Sequence, residues 1–335
     1  MRVFSHIPVW LSAAALLSMT YSCSKTEVTG QQAGIAFSTA VETKAPVESS
    51  NDMDAFAVWA YRSDDAATLP EVEMNGIEVY RNGTGWAYDN VRMWTDGIWH
   101  FEAMYPDPQS LGTDKIGVQF YIPKNDGQVE LDGVSISYFD GTNADADLMI
   151  AKQDRIYNSA SNPDASAVSL SFEHLLSRVG ISVKTTTEDL TLTSLTFKGM
   201  GVIGAYNTKE SGEDKWMLLN SVSELESVVP TGTFEASLDE SPLPSDGTAV
   251  DVLSDLLLIP QTPGTGAAGQ YPMTVEVTYT VGSGGAETKT LTIPADPVWA
   301  PGRHYRYTLT LGTADVTLNI DVVDWEPAED NNITW

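Results

Sequence analysis

The sequence predicts an all-β chain built as two tandem β-sandwich domains. Three observations carry that expectation. Apolar residues recur at every second position in run after run, Gly, Pro and Asn turns separate the runs, and hardly any stretch repeats at the 3.6-residue spacing of a helix. The 335 residues amount to about two domains. Hydrophobic residues make up 42% of the chain and charged residues only 19%, which is enough apolar material for packed cores rather than disorder.

The first two dozen residues read as an address. Arg2 supplies a positive start and an apolar stretch runs from Ile7 to Met19, shorter than a bilayer span and typical of a secretory leader. The stretch ends on Thr20, Tyr21, Ser22 and Cys23. A cysteine at that place, behind a small residue, resembles the lipobox of bacterial lipoproteins. The resemblance implies cleavage before Cys23 and lipid on its sulfur; the alternative is an ordinary leader followed by a bystander cysteine. Cys23 is the single cysteine of the chain, which excludes a disulfide framework, a CxxC redox pair and a cysteine-rich zinc site. Residues 24–30 read as a polar tether. No later stretch reaches the roughly 18 apolar residues of a transmembrane helix.

Beyond the tether the strands follow one another. Gly34 to Phe37 and Phe56 to Tyr61 are short apolar runs with β-branched or aromatic members. Gly76 to Tyr80 alternates and is followed by the hairpin pair Asn82 and Gly83. Trp99 to Tyr105 alternates until Pro106 and Pro108, and Val118 to Ile122 ends at Pro123. Val168 to Phe172 and Arg178 to Val183 read as two further strands, with His174 to Ser177 between them as a bulge or a single helical turn. In the second half Leu190 to Phe197 alternates, Gly201 to Tyr206 and Trp216 to Leu219 are shorter, and Leu253 to Ile259 stops at Pro260. Tyr271 to Val281, Thr288 to Ile293, Tyr305 to Leu311 and Val316 to Val323 complete a meander. Ser221 to Glu226 is the one place where a short helix could open. The polar stretch from Thr185 to Asp189 marks the expected boundary, giving a leader over 1–22, an N-terminal sandwich over 23–185 and a C-terminal sandwich over 186–335.

Composition and motifs narrow the function. Asp and Glu number 46 against 18 Lys and Arg, a formal net charge of −28. Such a field repels phosphate backbones and anionic lipid surfaces, so no nucleic-acid partner is expected. Gly199 to Gly204 fits GxGxxG but leads into a turn rather than a helix start, so it lacks the geometry that binds a dinucleotide. Asp140 to Asp147 spaces carboxylates as a calcium loop can, yet Leu148 and Asp154 stand where an EF-hand needs Gly and Glu. The four histidines, His6, His100, His174 and His304, lack metal-ligand spacing. No GxSxG elbow occurs. The expectation is a protein without enzyme activity, cofactor or metal. Trp86, Tyr88, Trp94, Trp99 and Tyr105 read as sandwich core and cross-strand pairs. The rival reading makes them a platform for sugar rings on a surface lipoprotein that does not polymerise and binds glycan.

Several segments in order resemble the fimbrillin-like proteins of Bacteroidales, the subunits of type V pili. They are Ile35 to Ser38, Glu42 to Ala45, Val79 to Trp86 leading into Arg92 to Trp94, Trp99 to Pro106, Asp147 to Ala151, Val168 to Ser177, Trp299 to Tyr307 and Val322 to Trp325. Their shared order covers nearly the whole chain after the leader.

The resemblance implies two transthyretin-like β-sandwich domains and a lipoprotein precursor, anchored in the outer membrane through its lipid and facing outward. It implies assembly with other fimbrial subunits into a homo- or heteropolymer, and a ligand on host or bacterial surfaces. Carried over residue by residue, it puts a protease cut after Lys44. Gly34 to Thr43, with Ile35 and Phe37 as apolar anchors, then becomes a strand to be displaced. The other reading makes Lys44 an exposed loop lysine before Ala45 and Pro46. The donor strand would come from Val316 to Trp335, with Ile333 and Trp335 as anchors; the other reading makes Val316 to Val323 the closing strand of the second domain. The physical principle is β-augmentation, in which backbone pairing gives affinity and alternate side chains fill pockets. A non-polymerising anchored surface protein is the third reading.

Overall fold

The computed structural model describes residues 33–41, 52–65, 69–122, 133–207, 216–219, 231–238, 241–263, 272–313 and 315–324. All of them fall in one compact unit, Ala33–Trp335; a second unit, Met1–Gln32, lies outside the described residues. So do Cys23, Lys44, Ile333 and Trp335, and the short helix expected from Ser221.

In chain order the first strands are β1 (Phe37–Val41), β2 (Ala55–Ser63), β3 (Glu71–Asn82), β4 (Gly85–Ala87) and β5 (Gly97–Tyr105). One helical turn, α1 (Pro108–Leu111), follows, capped by the Asp107 carboxylate accepting from the Gln109 amide at 3.0 Å. Then come β6 (Ile116–Tyr121), β7 (Gly133–Asp140), β8 (Met149–Tyr157), β9 (Val168–His174) and β10 (Ser177–Thr185). The second half holds β11 (Leu190–Gly201), β12 (Ile203–Tyr206), β13 (Trp216–Leu218), β14 (Thr231–Glu235) and β15 (Val250–Leu258). It ends with β16 (Thr274–Val281), β17 (Glu287–Thr292), β18 (Arg303–Leu311) and β19 (Val316–Asp324). No helix among the described residues is long and apolar enough to cross a membrane.

Four sheets result. The largest has seven strands in the order β1-β9-β8-β5-β2-β3-β4. Its inner face carries Phe56, Val58 and Ala60 from β2, Trp99, Phe101 and Ala103 from β5, and Val168, Leu170 and Phe172 from β9, all buried. The period of two is the pleat itself: every second side chain reaches the same face. Ala57, Trp59, Met104 and Ile150 leave the opposite face and pack on Ile116, Val134, Ile136 and Phe139 of a second sheet, β13-β12-β7-β6. β2 is therefore covered on both sides, which is why Phe56 to Tyr61 reads as an unbroken apolar run.

The other two sheets, β15-β10-β18-β19 and β14-β11-β16-β17, face each other as a sandwich. Val179, Ile181 and Val183 of β10 and Tyr305, Tyr307, Leu309 and Leu311 of β18 meet Leu192, Leu195 and Phe197 of β11 and Val275, Val277 and Tyr279 of β16. Along β11 the buried positions skip from Leu192 to Leu195, out of phase with a period of two. The ladder to β16 shifts between Leu192 and Ser194, and that bulge returns Leu195 and Phe197 to the core.

Two placements cross the boundary expected at 185. β10 lies before the boundary expected at 185, yet it pairs with β15 and β18, so by pairing it belongs to the second sandwich. β12 and β13 come from beyond that boundary, yet they extend the sheet of β6 and β7. The His174 to Ser177 link is neither a ladder bulge nor a helix. β9 ends at His174, β10 starts at Ser177, and Leu175 and Leu176 between them are buried.

Candidate functional site

The site of interest surrounds the first strand. β1 runs parallel to β9, with Phe37 opposite Val168 and Val41 opposite Phe172. Just ahead of it, Gly34 bridges antiparallel to Met93. The Ile35 amide donates to the Arg92 carbonyl at 2.8 Å, and the Trp94 amide donates to the Ala33 carbonyl at 2.9 Å. The Val168 amide reaches the Ala36 carbonyl at 2.7 Å. Residues 33–41 are thus held from two sides, by β9 and by the segment 92–94.

Side chains complete the slot. Ile35 is 2% exposed and Phe37 7%. The Phe37 ring meets Tyr88 at 5.6 Å, Phe101 at 6.1 Å and Phe56 at 6.4 Å between centroids. Thr39 and Val41, next on the same face, are half-buried, while Ala36, Ser38 and Ala40 point to solvent. The Tyr88 hydroxyl donates to the Ile35 carbonyl at 2.9 Å and accepts the Arg92 amide at 3.1 Å. Burial pushes its pKa up, against the pull of Arg92, so it stays a neutral donor at ordinary pH. The Trp86 indole N–H, on β4, donates to Thr39 Oγ1 at 3.0 Å, and the Arg81 guanidinium lies 4.0 Å above that indole. β1 and β4 are the two outermost strands of the seven-stranded sheet, so this bond joins its two edges.

Of the residues the sequence singled out, Ile35 and Phe37 are brought together here. The strand proper begins at Phe37, later than the run starting at Gly34 suggests. Sequence reasoning missed Tyr88 and Trp86 as holders of this segment. The rings considered as a sugar platform face inward: Tyr88, Trp94 and Trp99 are buried, and Trp86 and Tyr105 pack at the margin of the same core. β19 pairs with β18 along its whole length, from Val316 opposite Leu311 to Asp324 opposite Arg303. Val316 to Val323 is thus an outer strand of the sheet β15-β10-β18-β19, and residues 325–335, with Ile333 and Trp335, lie outside the described residues.

The remaining constellations have partners of their own. Asp140 accepts from Thr142 and pairs with Lys115 at 3.2 Å; burial opposes ionisation, but these bonds hold its carboxyl below the ordinary value. Asp147 bonds the buried His174 Nδ1 at 2.8 Å. Gly199 and Gly201 lie in β11, where a Cβ on Gly199 would sit 2.6 Å from the Pro272 carbonyl oxygen. That glycine serves a close strand approach rather than a phosphate.

This architecture has relatives. Residues 43–325 match the profile of a family described as fimbrillin-like. The chain belongs to the fimbrillin-like family. Membership places it among structural, non-enzymatic proteins of the cell surface that assemble with other fimbrial subunits. A fimbrial protein from Bacteroides vulgatus superposes on 87% of this chain and 99% of its own, with a TM-score of 0.62 at 18% identity. A candidate cell adhesion protein from Bacteroides uniformis covers 87% of this chain and 99% of its own, with a TM-score of 0.50 and 14% identity. One from Bacteroides ovatus covers 88% and 98%, also at 0.50, with 16% identity. At such identities the likeness is one of fold. No curated protein matches the chain.

Proposed function

We propose that this fimbrillin-like chain is a structural and adhesive subunit of a surface fimbria, exported as a lipoprotein and assembled by strand exchange. In this reading Cys23 carries the lipid that tethers the precursor to the outer membrane. A protease cuts after Lys44, β1 leaves its slot, and a strand with Ile333 and Trp335 as anchors, from another subunit, takes its place. The observation that carries the reading is the seat of β1. It is an edge strand by order, yet, with the residues just ahead of it, it fills the core through Ile35 and Phe37, and the segment 33–41 is paired first with 92–94 and then with β9. Burying two such side chains stabilises the folded state by about 1.5–3 kcal/mol each, so spontaneous release is rare. Exchange against an equivalent strand restores both the backbone bonds and the apolar contacts, so a cut in the connection can drive assembly where simple melting cannot.

The test uses the mature chain, its Lys44→Ala variant and a Cys23→Ser precursor. Limited digestion with a lysine-specific protease should remove the N-terminal segment from the parent and give ladders of multimers on unheated gels. The Lys44→Ala protein should stay monomeric. The Cys23→Ser precursor should leave the membrane fraction with its fold intact. A cut chain that sheds the segment and remains a monomer would count against strand exchange.

A further inference from the structure

We infer that the slot of β1 reads the side chains of any strand that replaces it. It demands a small residue in the place of Gly34, an aliphatic one in the place of Ile35, an aromatic one in the place of Phe37 and a hydroxyl in the place of Thr39, on a strand parallel to β9. The inference rests on the strand exchange proposed above and adds to it the chemistry of the partner strand.

Each of the four requirements has its own physical cause. A Cβ at position 34 would lie 2.8 Å from Cγ1 of the exposed Val91, closer than real contacts allow, so any side chain there must first displace that valine and the smallest residue fits best. The place of Ile35 is fully enclosed, and its carbonyl is fixed by the Tyr88 hydroxyl. The place of Phe37 is walled by the rings of Phe56, Tyr88 and Phe101, so a smaller side chain leaves a cavity among aromatics. At position 39 the Trp86 indole N–H, half-buried under Arg81, needs an acceptor. The ring reaches from β4 to the first strand with this polar bond, so it sets the register: a strand slipped by one residue turns its apolar side chains outward, and one slipped by two offers Trp86 the wrong residue. Direction is set separately, by the parallel ladder to β9 and the antiparallel bridge to Met93. The occupant is therefore an extended strand of another subunit with the order small, aliphatic, any, aromatic, any, Ser or Thr. Ile333 and Trp335 have the spacing of Ile35 and Phe37 and meet the aliphatic and aromatic requirements, whereas Asn332, in the place of Gly34, departs from the small one.

The experiment uses the full mature chain carrying one introduced protease site within residues 42–47, cut once, and a fluorescent peptide of residues 33–41. Uptake of the peptide in exchange for β1 is followed by anisotropy. The parent peptide should exchange in. Phe37→Ala should weaken uptake by more than a hundredfold, Thr39→Val by about tenfold, and Gly34→Val by about tenfold. In a Trp86→Phe chain the parent and Thr39→Val peptides should bind alike, because the donor that tells them apart is gone. Uptake of all peptides with equal affinity, or persistence of the Thr39 preference in Trp86→Phe, overturns the side-chain code while leaving strand exchange standing. A cut chain that keeps its own β1 and takes up no peptide overturns the exchange reading and the code together.

Discussion

Glu102 of β5 accepts the Val134 amide of β7 through Oε2 at 2.7 Å, a bond between the seven-stranded sheet and the sheet packed on it. Its other oxygen meets Lys152 Nζ at 2.9 Å. Gly133 lies against the same carboxylate with a φ of +92°, and a Cβ there would stand 2.0 Å from Oε1. The charge is thus buried only because an amide and an ammonium face it and a glycine makes room.

Glu102→Ala should cost about 1–3 kcal/mol, the penalty of leaving the Val134 amide without its acceptor. Gly133→Ala should cost at least as much, since the new methyl displaces the carboxylate and the backbone is in a left-handed region. Urea denaturation of both variants against the parent reads the effect. A Glu102→Ala midpoint equal to that of the parent would show that water replaces the carboxylate.

Phe37→Ala in the uncut chain should lower stability by about 3–5 kcal/mol, the usual cost of deleting a buried ring. Ala36→Ser, on the solvent side of the same segment, should be nearly neutral. The contrast in thermal or urea midpoints separates a strand anchored in the core from one lying on the surface.

His304 should make the fold acid-sensitive. Burial holds its imidazole down to about 4 from an ordinary 6.5, with Arg178 and Arg306 acting in the same direction and Asp255 and Asp251 against it. Between those two values the unfolded chain binds a proton that the folded chain refuses, so stability falls as pH is lowered through that window and is unaffected above it. The loss approaches about 3 kcal/mol at the acid end. His304→Gln should flatten this part of the stability profile measured by urea titration between pH 7 and pH 4; an unchanged slope would assign the acid sensitivity to carboxylates instead.

Tyr307→Phe should cost about 1–3 kcal/mol, because the Trp299 indole donates to the Tyr307 hydroxyl at 2.8 Å in a buried place. Tyr305 acts on the neighbouring turn: its hydroxyl donates to the Val298 carbonyl and accepts the Ala300 amide, each at 2.8 Å. Burial also pushes the Tyr307 pKa up to about 12. Difference absorbance between parent and Tyr307→Phe should therefore show no phenolate contribution from Tyr307 at pH 10.

The alternating run from Tyr305 to Leu311 shows what the sequence made legible. Its alternation placed a strand correctly because a pleat is a local property, and the same holds for Val168 to Phe172 and Leu190 to Phe197. Partnership across the chain was not legible. Nothing local says that β1 pairs with β9, or that β12 joins β7, since any two strands with apolar faces can meet. β4, β7, β8 and β14 escaped notice as strands; β4 is only three residues long, β8 carries four polar residues in a row from Lys152 to Arg155, and the glycine and threonines of Thr231–Glu235 give little hydrophobic signal. At the slot, Ile35 and Phe37 stood out as apolar, but Trp86 and Tyr88 read only as core. Their polar atoms gain meaning once the fold brings β4 beside residues 35–39, which a spacing of about 50 residues conceals.

The parallel pairing of β1 with β9 also fixes when the strand can settle. Phe37 lies opposite Val168, roughly 130 residues downstream of it, so the loop between them must close before a single bond of that ladder forms. On loop-closure grounds β1 should be among the last strands to dock, with its contacts made on the native side of the folding barrier, which a φ-value near zero for Phe37→Ala would show. Interactions formed that late govern how long a folded molecule survives rather than how fast it arises. The strand at the beginning of the domain thus acts as its timekeeper: while it stays seated unfolding is slow, and once it is gone the lifetime of the open chain depends on how soon another strand arrives.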